Sequence, residues 1–131
     1  MPFIGNILDA ARENTFFRKV LFTGSRSQLV VMSIPPGGEI GEEKHLHVEQ
    51  TLFFLEGSGV AILNGQESII QAGSVAVVTP GTMHNFKNTG DFPMKVYTVY
   101  APPNHLPDTI HKTIEDAKMD VKDEDFGEHV V

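Results

Sequence analysis

The chain has 131 residues, 40% of them hydrophobic, which fits one globular domain and is too short for two ordinary ones. It contains no cysteine, which excludes disulfides, thiolate catalysis and cysteine-based zinc or iron–sulfur sites. The net charge of −7 argues against a general affinity for nucleic acid or anionic membranes.

The N-terminal segment MPFIGNILDAAREN has no basic stretch followed by an apolar one, so a secretory signal is not expected and a cytoplasmic location is. No run reaches the roughly 18 apolar residues of a membrane span. Asn6–Glu13 reads as a short helix and Phe16–Phe22 as a strand, an outer one. Phe3, Ile4, Phe16 and Phe17 offer apolar material either for an exchanged strand in a homodimer or for covering the chain's own core.

Short β-rich runs then follow, each stopped by glycine or proline. SQLVVMSI (Ser27–Ile34) ends at Pro35-Pro36-Gly37-Gly38, and TLFFL (Thr51–Leu55) ends at Glu56-Gly57-Ser58-Gly59. Val60–Leu63 leads into Asn64-Gly65, a strong hairpin signal because a type I′ turn needs positive φ at both positions. Glu67–Gln71 is the expected return strand. SVAVVT (Ser74–Thr79) stops at Pro80-Gly81, and MKVYTVY (Met94–Tyr100) alternates with period 2 until Pro102-Pro103. Regularly spaced strands with a turn between each pair predict an all-β sandwich or barrel, with its core at about 27–101.

The flanks are residues 1–26 and 102–131. Thr109–Met119 reads as a C-terminal helix. Glu115–Val131 holds seven acids and two lysines, supplies −5 of the net −7, and reads as a solvated, partly frayed tail.

Six histidines are present, at 45, 47, 84, 105, 111 and 129. His45 and His47 stand at i and i+2, and Glu43 shares their parity, so in a strand all three would face one way. Imidazole with carboxylate suits Mn, Fe, Co, Ni, Zn or Cu, provided a distant strand contributes another ligand. His84, after the SVAVV run and a turn, is expected to open a new strand and to be that contributor.

Two gapped motifs carry a resemblance to the cupin family. Gly73, five residues, Thr79, Pro80, Gly81, two residues, His84, three residues and Asn88 follow the second cupin motif, with Thr79 where the motif has proline. Gly37, five residues, Glu43, Lys44, His45, four residues, Gln50, six residues and Gly57 follow the first, with Glu43 for its first histidine and Gln50 for its glutamate. Fifteen residues, room for a minimal hairpin, separate Gly57 from Gly73. The resemblance implies a double-stranded β-helix, a jelly-roll barrel with short terminal helices, similar to small single-domain metal-binding cupins such as the mannose-6-phosphate isomerase-like barrels.

By motif spacing, the resemblance implies a divalent metal held by Glu43, His45, Gln50 and His84. A second register uses His45, His47 and His84 with Glu43 or Glu49; strand parity favours it and the spacing to Gly57 does not. Similar cupins include sugar and uronate isomerases, dioxygenases, lyases and oxalate-degrading enzymes, and the fold does not choose among them. The expected function is an enzyme using the metal as a Lewis acid on a small polar acid or sugar-like compound, with Glu43, His47 or Tyr100 moving a proton. The alternative is a non-catalytic module that binds a small ligand or metal. Tyr97 and Tyr100 have opposite parity, so only one faces inward; Tyr100 or His105 could reach the pocket, or pack the tail over the barrel. Phe53, Phe54 and Phe86 read as core or pocket wall.

Overall fold

The computed structural model describes residues 1–130. Its elements in chain order are α1 (Ile7–Glu13), β1 (Arg18–Thr23), β2 (Gln28–Ile34), β3 (Glu49–Glu56), β4 (Ser58–Leu63), β5 (Gln66–Gln71), β6 (Val75–Val78), β7 (His84–Asn88), β8 (Met94–Ala101), β9 (Ile110–His111), α2 (Ile114–Met119) and α3 (Val121–Glu128). The strands form two antiparallel sheets, one ordered β6-β3-β8-β2-β1-β9 and the other β5-β4-β7. This is the all-β arrangement that the strand spacing predicts, in the double-stranded β-helix form that the resemblance of the two motifs implies.

Period-2 alternation fills the space between the sheets. In β3 the buried residues are Gln50, Leu52 and Phe54; in β8 they are Met94, Val96, Thr98 and Tyr100. From the smaller sheet Ala61, Ile70 and Phe86 complete the core, and Phe54 meets Phe86 across the gap with ring centroids 5.5 Å apart. The centre of the large sheet is covered on its outer side as well: α1 packs over β2, β3 and β8 through the buried Ala11. That second cover explains why Val31 is buried as fully as its neighbours Val30 and Met32.

Two turns show why their residues are there. Asn64 and Gly65 both have positive φ (49° and 82°) at the β4–β5 hairpin, as the type I′ reading requires. Gly57, at φ 95°, carries the β3–β4 turn so close to β8 that a Cβ would lie 2.9 Å from the Met94 Cα.

The C-terminal flank departs from expectation. Thr109–Met119 is not one helix: Ile110 and His111 pair with Lys19 and Arg18 of β1, and α2 starts only after Thr113. Thr113 and Asp116 form a capping box there, which fixes the helix start. The tail is not free either, because Asp120 caps α3 and Asp123 is buried. Phe17 is buried in the chain's own core, so it covers its own barrel, while Phe3 packs edge-on against Phe22. No described helix is long and apolar enough to cross a membrane.

Candidate functional site

The two motifs meet through the backbone. Glu43 and His84 exchange a pair of main-chain hydrogen bonds (2.9 and 2.8 Å), and the Gly81 N–H donates to the His45 carbonyl at 2.7 Å. A turn that stops β6 and a segment that precedes β3 are thereby joined, which brings side chains 39 and 41 positions apart in sequence to one place.

His84 opens β7 and is buried. Its Nδ1 lies 2.8 Å from the Thr82 carbonyl, which can only accept, so Nδ1 carries the proton and Nε2 keeps its lone pair. Burial holds the ring below the usual histidine range, against the raising effects of the Thr82 bond and the Glu43 charge. A neutral imidazole oriented by a backbone carbonyl is the arrangement metal-ligating histidines use. The His45 ring lies beside it, centroids 5.2 Å apart, and His45 Nε2 is 3.2 Å from Glu43 Oε2. Burial opposes ionisation of Glu43, yet the His45 hydrogen bond and the nearby Arg18 charge hold its carboxyl below the usual range.

Gln50 points inward from β3, beside Tyr100 in register. Its Nε2 donates to Thr98 Oγ1 at 3.1 Å, so the amide oxygen is the end left to serve as a ligand. Tyr100 is buried with its ring edge-on to both His45 (6.4 Å) and His105 (4.9 Å). Burial pushes its phenol up to about 12, so it keeps its proton at neutral pH. Tyr97 takes the outer face and stacks on Phe53 at 4.8 Å, so Phe53 is neither core nor pocket wall.

The strand expected through Glu43, His45 and His47 does not form. After the bridge at Glu43 the chain runs irregularly and bends at Leu46 and His47. Strand parity therefore does not apply, and His47 is exposed while His45 is largely buried. The structure puts Glu43 against His45 and the His45 ring beside His84, with Gln50 on the inner face of β3, but the ligand atoms of Glu43, His45 and His84 do not all come within 4.8 Å of one another. Of these residues only Glu43 and His45 line the adjacent cavity; Gln50, His84, Tyr100 and His47 do not.

That cavity, about 470 Å³, opens beside Glu43 and His45. Its far wall comes from Arg18, Asn104 and His105, and its roof from α2 and α3 through Ile114, Ala117, Asp123 and Gly127. Sequence reasoning missed Arg18 and Asp123. The only available signals were an arginine at the head of a largely apolar strand and an acid at capping spacing after Asp120.

Two bonded chains hold the roof. Arg18 Nη1 lies 3.1 Å from His111 Nδ1, and since arginine can only donate, His111 Nδ1 accepts and Nε2 donates to Asp120 Oδ2 at 2.9 Å. Asp123 accepts from His105 Nδ1 and from the Leu106 N–H, both at 2.7 Å. His111, Asp120 and Asp123 also bring three potential ligand atoms within 4.8 Å of one another. Those groups already bond Arg18 Nη1, His105 Nδ1, the Leu106 N–H and each other, so their observed role is to fasten the tail.

Residues 30–100 match the Cupin domain family. The chain belongs to the cupin family. It is 41% identical over 123 residues to the uncharacterised protein YrkC of Bacillus subtilis, covering 88% of this chain and 66% of that protein. This cupin thus spans just under two thirds of that relative's length. A crystal structure from Bacillus halodurans superposes with a TM-score of 0.88 at 36% identity, covering 90% of this chain and 94% of that one. An oxalate-binding protein of Thermotoga maritima is 34% identical over 68 residues, 52% of this cupin and 56% of that protein. The family match runs only from residue 30 to residue 100, so Arg18, Asn104, His105 and Asp123 all lie outside it.

Proposed function

We propose that Glu43, His45, Gln50 and His84 hold one divalent transition ion (Mn, Fe, Co, Ni or Zn), and that this cupin is a metal-dependent enzyme of isomerase, lyase or dioxygenase type acting on a small polar acid or sugar-like carbonyl compound. The observation that carries the reading is His84: a buried neutral ring with Nδ1 tied to Thr82 and Nε2 left over, beside the His45 ring and the Glu43 carboxylate. Two imidazole nitrogens, one carboxylate and one amide oxygen suit a borderline divalent cation. When bound, such an ion supplies Lewis-acid polarisation of a substrate oxygen.

The chain's own groups then divide the remaining work. Glu43 supplies the only formal negative charge of the four, so the occupied site would stay net positive and favour an anionic ligand. Glu43 is also the ionised group placed to take a proton at the cavity edge, whereas Tyr100 holds its proton too tightly for that and is suited to donating a hydrogen bond. His47, on its exposed bend, is the rim residue among the proposed proton carriers.

The non-catalytic reading, a module that binds a small acid or a metal, is supported by the likeness to an oxalate-binding protein and by the high proton affinity of Tyr100. We further propose a homodimer in the cytoplasm, with exposed Phe3 and Ile4 as apolar contact material; sedimentation of the wild type beside Ile4→Glu tests it.

Elemental analysis of untagged protein decides the metal reading. About one transition ion per chain is expected, lost in His45→Ala and in His84→Ala and retained in His47→Ala. Wild type that carries no metal and takes up no added Mn, Fe, Ni or Zn would leave a metal-free binding barrel.

A further inference from the structure

The second wall of the cavity carries unspent polarity. Arg18, Asn104 and His105 are 5%, 4% and 6% exposed, and all three line the cavity. Each has a buried polar atom without a hydrogen-bond partner among the described residues: Arg18 Nε, Asn104 Oδ1 and His105 Nε2. Buried polar atoms are rarely left alone, and three on residues that line one cavity mark a place where something else completes them.

Their chemistry says what. Arg18 is always charged, and its close neighbours, the accepting His111 ring and the Tyr100 hydroxyl, bring no negative charge. Among the described residues no carboxylate lies within 4.0 Å of it. Glu43 and Asp123 sense its charge from beyond that distance. A buried guanidinium with no carboxylate in contact is only partly compensated, and an anionic oxygen on Nε–H completes it. His105 differs: its Nδ1 proton is committed to Asp123, so Nε2 offers a lone pair, and Asn104 Oδ1 is a second acceptor. A bare carboxylate would satisfy Arg18 and leave both acceptors empty. A molecule with a hydroxyl near its carboxylate satisfies both sides.

We propose that Arg18, Asn104 and His105 form a docking subsite for a small hydroxy acid, with its carboxylate on Arg18 Nε–H and its hydroxyl donated to His105 Nε2 or Asn104 Oδ1. The subsite deepens the metal reading and rests on it only for the statement that the same molecule also reaches the ion; the wall itself needs no metal.

The experiment follows the Nε–H resonances of the chain's three arginines by nitrogen-15 NMR in wild-type protein stripped with a chelator. Arg18 is assigned by elimination from Arg12→Lys and Arg26→Lys, both at exposed positions. Malate is titrated as the hydroxy acid and succinate as the same diacid without the hydroxyl. The Arg18 resonance should move with malate, and succinate should bind at least about tenfold more weakly, since it leaves the acceptors unpaired. One of His105→Phe and Asn104→Leu, whichever removes the acceptor of the hydroxyl, should bring malate down to the affinity of succinate. An Arg18 resonance unmoved by malate overturns the subsite, and equal affinity for the two acids overturns the hydroxyl assignment. Because the titration is metal-free, a moving Arg18 resonance in a protein that never binds metal would sink the metal reading and leave the subsite standing. Tighter malate binding after metal loading would show one ligand touching both.

Discussion

Replacing Asp123 by alanine removes the carboxylate that ties α3 to the barrel. Two buried donors, the Leu106 N–H and His105 Nδ1–H, lose partners at 2.7 Å. Each orphaned donor costs at least about 1 kcal/mol, so docking of α3 weakens by about 2 kcal/mol. Little else compensates: Asp123 is the one buried residue of α3, Val121 and Phe126 are exposed, and only Val130 beyond the helix adds apolar contact with the core. Asp120 still caps the helix, so α3 should open as a unit and not dissolve from its start. At 1.36 kcal/mol per tenfold, hydrogen exchange of the amides at 121–128 and of Leu106 should speed up about thirtyfold, with β3 and β8 unaffected. Asp123→Asn should lose less, because its amide can still accept from Leu106. Unchanged exchange in α3 would refute the reasoning. Equal acceleration in β3 and β8 would do so too, since it would make Asp123 part of the global core.

Other perturbations have equally definite signs. Gly59→Ala places a Cβ 2.0 Å from the Lys87 carbonyl oxygen and 2.6 Å from Met94 Cε, so β4 cannot keep its place between β5 and β7; a loss above about 3 kcal/mol is expected in urea unfolding. Gly65→Ala meets nothing within 4 Å, and its cost is purely that of φ 82°, about 1 kcal/mol. His105 is held below 6.5 chiefly by burial and then by the Arg18 charge, against the pull of Asp123 and Glu43. The unfolded chain therefore takes up a proton first as pH falls, and stability declines below about pH 6.5 by up to about 1.4 kcal/mol per pH unit. Urea titrations of wild type and His105→Phe at pH 7.5 and 5.5 should show the variant less pH-dependent.

The barrel was legible because apolar alternation and turn chemistry are local. The Asn64-Gly65 turn, the period-2 pattern of Met94–Tyr100 and the glycines flanking each strand read directly into β4–β5, β8 and their boundaries. His84 was legible for the same reason, as the first residue after a turn. What the sequence concealed was polar burial. Arg18 sits at the start of a strand that reads as outer, and its burial depends on β9 pairing beside it from 93 positions away. Asp123 lies in a run with almost no apolar periodicity, so hydropathy marks α3 as solvated; a specific acceptor pair holds it instead. The parity argument for His45 and His47 failed because parity presupposes a strand. The chain there follows the backbone of His84 and the turn before it for only three hydrogen bonds before bending away.

The division between family core and flanks bears on how this cupin would select a ligand. Residues 30–100 supply all four proposed metal ligands, while the opposite cavity wall comes from positions 18, 104 and 105 and is held by 111, 120 and 123. Arg18 cannot leave that wall without breaking its bond to His111, nor His105 without breaking its bond to Asp123. Substitutions in the flanks should therefore change which acid binds while leaving metal content intact, and substitutions at His45 or His84 should do the reverse. Arg18→Gln makes the separation measurable: its metal content should match wild type and its affinity for malate should fall, while parallel losses of both would mean that wall and metal residues form one inseparable structure.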